Sequence, residues 1–364
     1  MQKKAIIAMS GGVDSSVAAY LMIQKGYDCA GATMKLYDNP QCSQPGQRAC
    51  CTPSDTEDAR NVAARLGMLY YVFPMQEEFR KSVIDKFAET YMHGSTPNPC
   101  IDCNRFLKFD VLVQKARELG MDYIASGHYA RIQQDPETGR YLLKKGLDHT
   151  KDQSYVLYSM TQEQLAHTLF PLGTYTKTEI RQIAQEQGFI NADKPDSQDI
   201  CFVPDGDYAA FIERYTGQTC EPGDFVDQDG NVLGRHKGHI HYTIGQRRGL
   251  GISAPQSLYV CSKSLKNNQV ILGKKEDLMC TSCLVGDINL IPWDRLEHPI
   301  HCKVKTRYRQ QEQPATLEQL GDDLIRVTFL EPQRAVTPGQ AAVFYDNDTV
   351  LGGGTILPAN PDKA

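Results

Sequence analysis

Seven residues near the start of the chain, Ser10-Gly11-Gly12-Val13-Asp14-Ser15-Ser16, carry the strongest chemical signal. They follow a short apolar run, Ala5 to Met9, which predicts a strand. They open a helix predicted over 14–25 that stops at Gly26. A strand, a glycine-rich turn and a helix N-terminus together make an anion site. Paired glycines let the backbone approach a phosphate, and the first-turn N–H groups and helix dipole favour negative charge. The serines add hydroxyl donors, and Asp14 could hold a metal ion. No Gly-Lys-Ser/Thr follows, which excludes the Walker-type phosphate loop. The plain alternative is a strand-to-helix turn with a Ser/Asp cap; the whole string after a strand favours the phosphate reading. Two cysteine strings add a second kind of chemistry. In Pro97-Asn98-Pro99-Cys100-Ile101-Asp102-Cys103-Asn104 the prolines predict an extended loop ahead of a helix over 105–119. Cys103 then lies close to a helix N-terminus, which favours thiolate. Lys194-Pro195-Asp196-Ser197-Gln198-Asp199-Ile200-Cys201-Phe202 places one more cysteine in a polar loop. Either cysteine taken alone reads better as a small buried hydrophobe.

The elements that must position these residues follow from periodicity and punctuation. Strands are expected at 5–9, 29–36, 69–73 and 122–125, with helices at 14–25, 55–66, 77–92 and 105–119 between and after them. Such alternation predicts an α/β fold, a doubly wound parallel sheet with helices on both faces. A hairpin over 130–133 and 141–144 and two helices, 161–168 and 177–187, come next. Beyond about Asp205 one short helix, 208–215, precedes β-like runs at 257–261, 269–272, 301–306, 324–329 and 341–345, which suggest small barrels. A length of 364 residues leads one to expect two or three domains, and the expected division is 1–206, a central β-rich domain over 207–275, and a C-terminal β-barrel-like domain over 276–364. The hydrophobic fraction of 41% and charged fraction of 23% are those of a globular protein in water. No apolar run approaches the roughly 20 residues of a membrane span, so no membrane partner is expected. The basic start, Met1-Gln2-Lys3-Lys4, leads into an apolar run too short for a signal segment, which places the chain in the cytoplasm. Twelve cysteines there point to metal, cluster or sulfur-transfer chemistry and buried free thiols rather than structural disulfides. A net charge of −5 means that RNA binding needs local basic patches.

The Ser10–Ser16 string resembles the PP-loop of the ATP pyrophosphatase superfamily, whose members cleave ATP between the α- and β-phosphates and adenylate a substrate. With the other strings in hand, the chain resembles the tRNA-specific 2-thiouridylase (MnmA/TrmU) family over nearly its whole length. The strings are Ser10–Ser16, Pro97–Pro99 with Cys103, Gly127-His128-Tyr129-Ala130-Arg131, Lys151-Asp152-Gln153-Ser154-Tyr155, Asp196–Phe202, Tyr242-Thr243-Ile244-Gly245-Gln246-Arg247-Arg248-Gly249 and Arg307-Tyr308. The resemblance implies a PP-loop domain with a helical tRNA-binding part over 1–206. It implies a cytoplasmic transferase that adenylates the O2 of the tRNA wobble uridine (U34) and replaces it with sulfur, using ATP and Mg2+. By resemblance Cys103 is the nucleophile, Cys201 accepts sulfur as a persulfide, and the two form a disulfide during turnover. Ala8, Met9, Ser10, Gly11, Gly12, Val13, Asp14, Ser15, Met34 and Gly127 line the ATP site. Asn98, Pro99 and Cys100 approach the target base. Lys151, Asp152, Gln153, Arg307 and Tyr308 touch the anticodon arm of the tRNA, and a sulfur-relay donor is the second partner.

One position departs from the family pattern. Most members carry aspartate where this chain has Cys100, giving Cys100-x-x-Cys103 with Cys201 a distant third. Two readings stay open. The three cysteines hold a [4Fe–4S] cluster with one open iron site, a spacing common to such sites, or Asp102 replaces the missing carboxylate and persulfide chemistry is kept. Cys42, Cys50 and Cys51 read as a second metal site or, preferably, as free thiols in a flexible surface loop. His236, His239 and His241 suggest a metal patch, with His239 and His241 on one face of a strand; surface histidines without metal are favoured. In 301–309, Lys303, Lys305, Arg307 and Arg309 would line one face of a strand and suit a phosphate backbone. The plain alternative is an edge strand guarded by lysines. Two rival functions remain in view: another PP-loop adenylating ligase, which has no use for Cys103 with Cys201, and a non-catalytic tRNA-binding protein, against which an intact PP-loop argues.

Overall fold

A computed structural model describes residues 2–37, 53–196 and 200–359. Cys42, Cys50, Cys51 and positions 197–199 lie outside the described residues. The chain divides into two compact units. One takes Met1–Ile84, Pro99–Gly206 and Asp348–Leu351; the other takes Asp85–Asn98, Asp207–Asn347 and Gly352–Ala364.

In the first unit β1 (Lys4–Ala8), α1 (Val13–Gln24), β2 (Asp28–Lys35), α2 (Pro53–Arg65) and β3 (Leu69–Pro74) alternate as the periodicity predicts. A helical run follows, from α3 (Gln76–Phe79) through a π-helical stretch, Arg80–Asp85, and continues as α4 (Lys86–Met92), which belongs to the second unit. The next run goes from α5 (Pro99–Asp102) through a second π-helical stretch, Cys103–Val111, into α6 (Leu112–Glu118). This helix starts six residues earlier than expected. Pro99 does not delay it; proline suits the first helical position, where its missing N–H is not needed. Cys100 and Cys103 therefore sit inside the helical run rather than in an extended loop ahead of it. β4 (Tyr123–Ser126) returns to the sheet, and the hairpin β5 (Ala130–Gln134) and β6 (Tyr141–Lys145) comes next. α7 (Gln162–Ala166) is shorter than predicted, and its expected last turn is instead a two-residue strand, β7 (Thr168–Leu169). α8 (Lys177–Glu186) follows.

The sheet order is β3-β2-β1-β4-β7 and the pairings are parallel. The chain runs outward from β1 to β3, then crosses to β4 on the other side. The reversal between β1 and β4 is the switch point at whose carboxyl ends such sheets bind ligands. α1 is buried over most of its surface because it packs against the sheet on one side and α8 on the other. Val13, Val17, Ala18, Leu21 and Met22 share one core with Ile7, Ala125, Ile180 and Ala184. The hairpin has a further partner that its local sequence does not announce: β6 pairs with Thr349 and Val350 near the end of the chain.

The second unit contains α9 (Tyr208–Thr216) and a four-stranded sheet of β8 (Gly223–Val226), β9 (Val232–His236), β10 (Tyr259–Ser264) and β11 (Gln269–Gly273), in the order β10-β11-β8-β9. Phe225, Tyr242, Leu250, Val260, Val270 and Leu272 form its core. β12 (Met279–Leu290), β13 (Ile300–Lys305), β14 (Gln313–Gly321), β15 (Leu324–Arg334), β16 (Ala341–Asp346) and β17 (Thr349–Ile356) follow in the order β12-β15-β14-β13-β16-β17. β12 also pairs with β17 through 352–356, which closes the six strands into a barrel and removes free edges. Two local expectations change here. His239–His241 is a short 3-10 turn, not a strand, so its histidines do not share a strand face. β13 ends at Lys305, so Arg307 and Arg309 do not continue its cationic face.

Candidate functional site

The Ser10–Gly12 turn leaves β1 at the switch point. Gly12 is the N-cap of α1 with extended backbone (φ −89°, ψ 162°), and no side chain caps the helix. The first-turn N–H groups are thus presented to a ligand rather than to a cap. Ser15 and Ser16 instead brace the turn from below. Both hydroxyls donate to the Gly12 carbonyl, at 2.9 and 3.1 Å, and Ser15 Oγ accepts from Ser10 N at 3.3 Å. Two glycines are demanded by close approach. Gly11 has φ +77°, and a Cβ there would lie 2.2 Å from the Asp55 carbonyl oxygen. A Cβ on Gly127, which follows β4, would lie 2.8 Å from the Asp14 carbonyl carbon and 2.9 Å from Ser15 N. Ala8 ends β1, and Met9, Val13 and Met34 are buried.

Two lysines to which the sequence motifs gave no role, Lys177 and Lys194, supply the cations nearest the turn. Lys177, on α8, donates to both Asp14 oxygens at 2.7 and 2.8 Å and pairs with Asp196 at 2.7 Å. Its side chain is only 11% exposed. The Tyr129 hydroxyl donates to Asp14 at 2.7 Å, and burial together with that carboxylate pushes its ionisation far up. Lys194 donates to the Gly11 carbonyl at 3.2 Å, Asp55 at 2.6 Å and Asp58 at 2.7 Å. Burial alone would lower the Lys194 ammonium, but the two aspartates outweigh it and hold it above its ordinary value. Asn191 donates to the Gly11 carbonyl and to Ser16 Oγ, at 3.0 and 2.9 Å. Burial would raise the Asp196 carboxyl, yet bonds from Lys151 and Lys177 keep it low. One sequence signal pointed to Lys177. It is the first residue of α8 after the capping-box Thr176, where the helix dipole disfavours a cation unless carboxylates face it.

Asp14, the residue expected to hold a metal ion, therefore faces an ammonium and a phenol. One carboxylate with phosphate oxygens is the donor set that Mg2+ takes, so Asp14 fits that role once Lys177 turns away. A cluster is a different case. Cys100 is exposed on α5, and Cys103 opens the π-helical stretch, half-buried. Among the described residues no three His, Cys, Asp or Glu side chains gather to hold a metal ion, and this includes Cys100, Cys103 and Cys201. As placed, the three thiols do not supply a shared ligand set. Among the described residues no disulfide joins Cys103 to Cys201. Asp102, next to Cys103 in sequence, is buried. Phe202, next to Cys201, packs edge-on against Phe79 with ring centres 5.6 Å apart. The remaining described cysteines behave as small hydrophobes: burial pushes Cys29 and Cys261 up to about 11 and Cys283 and Cys302 to about 12.

The residues expected to touch RNA are placed in two groups. In the first unit Lys151 donates to Asp196 at 2.8 Å, Asp152 accepts from Gly146 N and Ser154 N, and Gln153 Oε1 accepts from Tyr129 N. These bonds fold the 146–154 loop back onto itself and onto Tyr129. In the second unit the Arg307 guanidinium donates to the Ala335 carbonyl at 2.8 Å and Thr337 Oγ1 at 3.0 Å, so it braces a turn. Tyr308 is exposed. Lys305 lies over the Tyr345 ring at 5.9 Å. The Pro97 carbonyl, beside Asn98, accepts from Gln340 at 3.2 Å. His236 and His239 are committed to backbone, bonding Asn268 O and Met92 O, and burial lowers both.

Comparison with known proteins agrees with this architecture. Residues 3–205 match the family model described as the tRNA methyl transferase HUP domain. Residues 209–274 match its PRC-barrel domain, and 280–356 the aminomethyltransferase beta-barrel domain. The chain is 50% identical over 356 residues to tRNA-specific 2-thiouridylase MnmA of Clostridioides difficile (strain 630), covering 98% of each chain. It is 47% identical over 357 residues to that of Carboxydothermus hydrogenoformans, again 98% of each. Against that of Acetivibrio thermocellus it is 49% identical over 356 residues, 98% of this chain and 99% of the relative. A braced phosphate turn at the sheet's switch point, the three domains in this order and relatives about half identical end to end lead to one conclusion: the chain belongs to the tRNA-specific 2-thiouridylase family and is a PP-loop tRNA sulfurtransferase.

Proposed function

We propose that the chain replaces O2 of the tRNA wobble uridine, U34, with sulfur in two steps. The observation that carries this reading is the uncapped Ser10–Ser16 turn, with lysines beside it and the segment that leads to Cys201 bonded onto it. First, the uracil O2 attacks the α-phosphorus of ATP as the N3 proton leaves. The O2–P bond forms, and the bond to the β-phosphate oxygen breaks. The first-turn N–H groups of α1 and the Lys177 and Lys194 ammoniums take up the charge of the departing pyrophosphate. Mg2+, held by Asp14, would neutralise further charge there. Second, the terminal sulfur of a Cys201 persulfide attacks C2, and AMP leaves with the C–O electron pair. The Cys103 thiolate then attacks the inner Cys201 sulfur. This frees 2-thiouridine, leaves a Cys103–Cys201 disulfide and calls for an external thiol to reset the pair.

Cys100 stands where the family commonly has a carboxylate, and Asp102, two residues on, supplies the nearest one in sequence. Asn98 and Pro99 meet the base in this reading, which must leave its stack to be reached. Lys151, Asp152, Gln153, Arg307 and Tyr308 serve the tRNA both directly and by shaping their loops. Residues 1–206 carry the chemistry, while 207–275 and 276–364 serve RNA recognition. A protein sulfur donor loads Cys201, and the cytoplasm is the place of work. The test is tRNA-dependent pyrophosphate release together with nucleoside mass analysis of the product tRNA. Pyrophosphate without 2-thiouridine indicates another adenylating ligase, and neither product indicates a binding protein.

A further inference from the structure

The end of the parallel sheet opposite the phosphate turn carries a second concave site. β1, β2 and β4 begin there, and Lys3, Tyr27 and Tyr123 lie at or just before those starts. The five residues of β1, about 16 Å of strand, separate this end from the turn. An open groove of about 580 Å³ runs from these strand starts to the β5–β6 hairpin, a size usual for small-molecule sites. All of its lining belongs to the first unit. Four cations line it, Lys3, Lys25, Arg131 and Lys144, and no carboxylate does. Asp348 holds Arg131 and Lys144 in place, at 2.8 and 3.3 Å. Asp122, at the same strand ends, is turned to the Lys4 backbone N–H at 2.8 Å. Among the described residues Lys3 and Lys25 have no ion pair. An aromatic wall stands beside these two ammoniums. Lys3 lies over the Tyr123 ring at 5.5 Å, and Tyr27 meets Tyr123 edge-on with ring centres 6.0 Å apart. Thr168, also in the lining, is 2% exposed, and its hydroxyl has no hydrogen-bond partner among the described residues. A buried hydroxyl in that state calls for a polar group to meet it.

We propose that this groove binds a nucleoside phosphate, at a site separate from the ATP site at the phosphate turn. Its phosphate sits on Lys3 and Lys25, and its base stacks on Tyr123. A cation over an exposed ring is held weakly. Lys3 therefore turns to the phosphate, and the base takes the ring face that it leaves. Stacking of this kind tolerates any base. Arg131 and Lys144, fixed by Asp348, add positive potential without having to move. A bare phosphate uses only the ammoniums, and an apolar molecule only the rings. An acidic peptide leaves the rings unused; a nucleotide uses both halves of the groove. Two sources can supply it, a free nucleotide or a single-stranded stretch of bound RNA. The proposal is independent of the sulfur chemistry above.

The test uses the full chain and cytidine 5′-monophosphate, which is neither substrate nor product of the reaction, with binding followed by calorimetry. The parent protein should bind it. Lys3→Gln combined with Lys25→Gln should weaken that binding by about 10–100-fold, since each ammonium gives a charge-assisted bond. Both lysines are exposed, so the melting temperature should match the parent. Tyr123→Leu should weaken binding by about tenfold through lost stacking. Cytidine and ribose 5-phosphate, which each carry half of the ligand, should bind at least about tenfold more weakly than the nucleotide. Transfer RNA then separates the two sources. If RNA supplies the nucleotide, tRNA displaces the probe, and the double lysine variant lowers the salt slope of tRNA binding by about 2. If a free nucleotide is the ligand, probe and tRNA bind together and the slope is unchanged. A probe held at the phosphate turn instead would ignore all of these substitutions. Absence of probe binding, parent-like affinity in the double lysine variant, or ribose 5-phosphate binding as tightly as the nucleotide overturns the proposal.

Discussion

Gly127→Ala isolates the steric demand of the phosphate turn. Gly127 sits in the strand-end crevice after β4, and alanine adds one methyl group. That carbon would stand 2.8 Å from the Asp14 carbonyl carbon and 2.9 Å from Ser15 N, where ordinary contact starts at 3.4 Å. Both neighbours are backbone in the first turn of α1, so no flexible side chain can yield. The turn or the β4 end must retreat by about 0.6 Å. Overpacking of this size costs about 1–3 kcal/mol of stability. Misplacing the N–H groups that face the pyrophosphate by a comparable distance should slow adenylation by about 10–100-fold. Single-turnover pyrophosphate release at saturating ATP and tRNA measures the rate, and thermal unfolding measures the stability. Gly120→Ala is the control. Gly120 has φ +67° but nothing within 4 Å of an added Cβ, so alanine there should cost about 1–2 kcal/mol in backbone strain and leave the rate alone. Parent-like pyrophosphate release in Gly127→Ala would refute the assignment of that crevice to the reacting phosphates.

Four further outcomes are expected. Cys100→Ala and Cys100→Asp should both retain 2-thiouridine formation in iron-free protein, while Cys103→Ala and Cys201→Ala should abolish it; iron-dependent activity lost in Cys100→Asp would install the cluster instead. Lys305→Gln should reduce the salt slope of tRNA binding by about 1. Arg307→Lys should keep the slope but lower the melting temperature, because lysine lacks the fork that spans Ala335 and Thr337; an altered slope with unchanged melting would reverse those roles. Lys263 Nζ is buried with no hydrogen-bond partner among the described residues, and burial lowers its ionisation to about 8. Since the unfolded chain holds this proton up to about 10.5, the destabilisation is complete below pH 8 and fades as pH rises toward 10.5. Lys263→Met should therefore stabilise the protein by about 1–3 kcal/mol at pH 7 and remove the rise in stability between those pH values; unfolding curves with no such difference would disprove it.

The parallel sheet was legible because each of its four long strands is a continuous apolar run ended by a turn or helix signal. The phosphate turn was legible because its Gly11 has a left-handed backbone and lies where a Cβ would strike the Asp55 backbone, so glycine is demanded there. What escaped depended on distant partners. β12 mixes Cys280, Thr281, Ser282 and Cys283 with apolar residues and alternates poorly. It is a strand because β15 and β17 pair with it from far along the chain. β7 has two residues and exists only as the neighbour of β4. The cationic half of the site was missed for the same reason: Lys177 and Lys194 look like a helix start and a polar loop until Asp14, Asp55 and Asp58 are brought to them. The prolines around Asn98 mislead because proline ends a helix from within but begins one well.

The pairing of β6 with Thr349 and Val350 has a consequence for biosynthesis. Arg131 on β5 and Lys144 on β6 also close on Asp348, so the hairpin's outer edge and its two cations are satisfied by a late stretch of chain. About 200 residues separate these partners, and a ribosome adding 5–20 residues per second needs about 10–40 s to bridge them. During that interval the nascent N-terminal half carries an unpaired strand edge. Any premature stop before Asp348 leaves that edge open for good, so shortened chains should be drawn to chaperones or to one another even when every residue of the ATP site has been made.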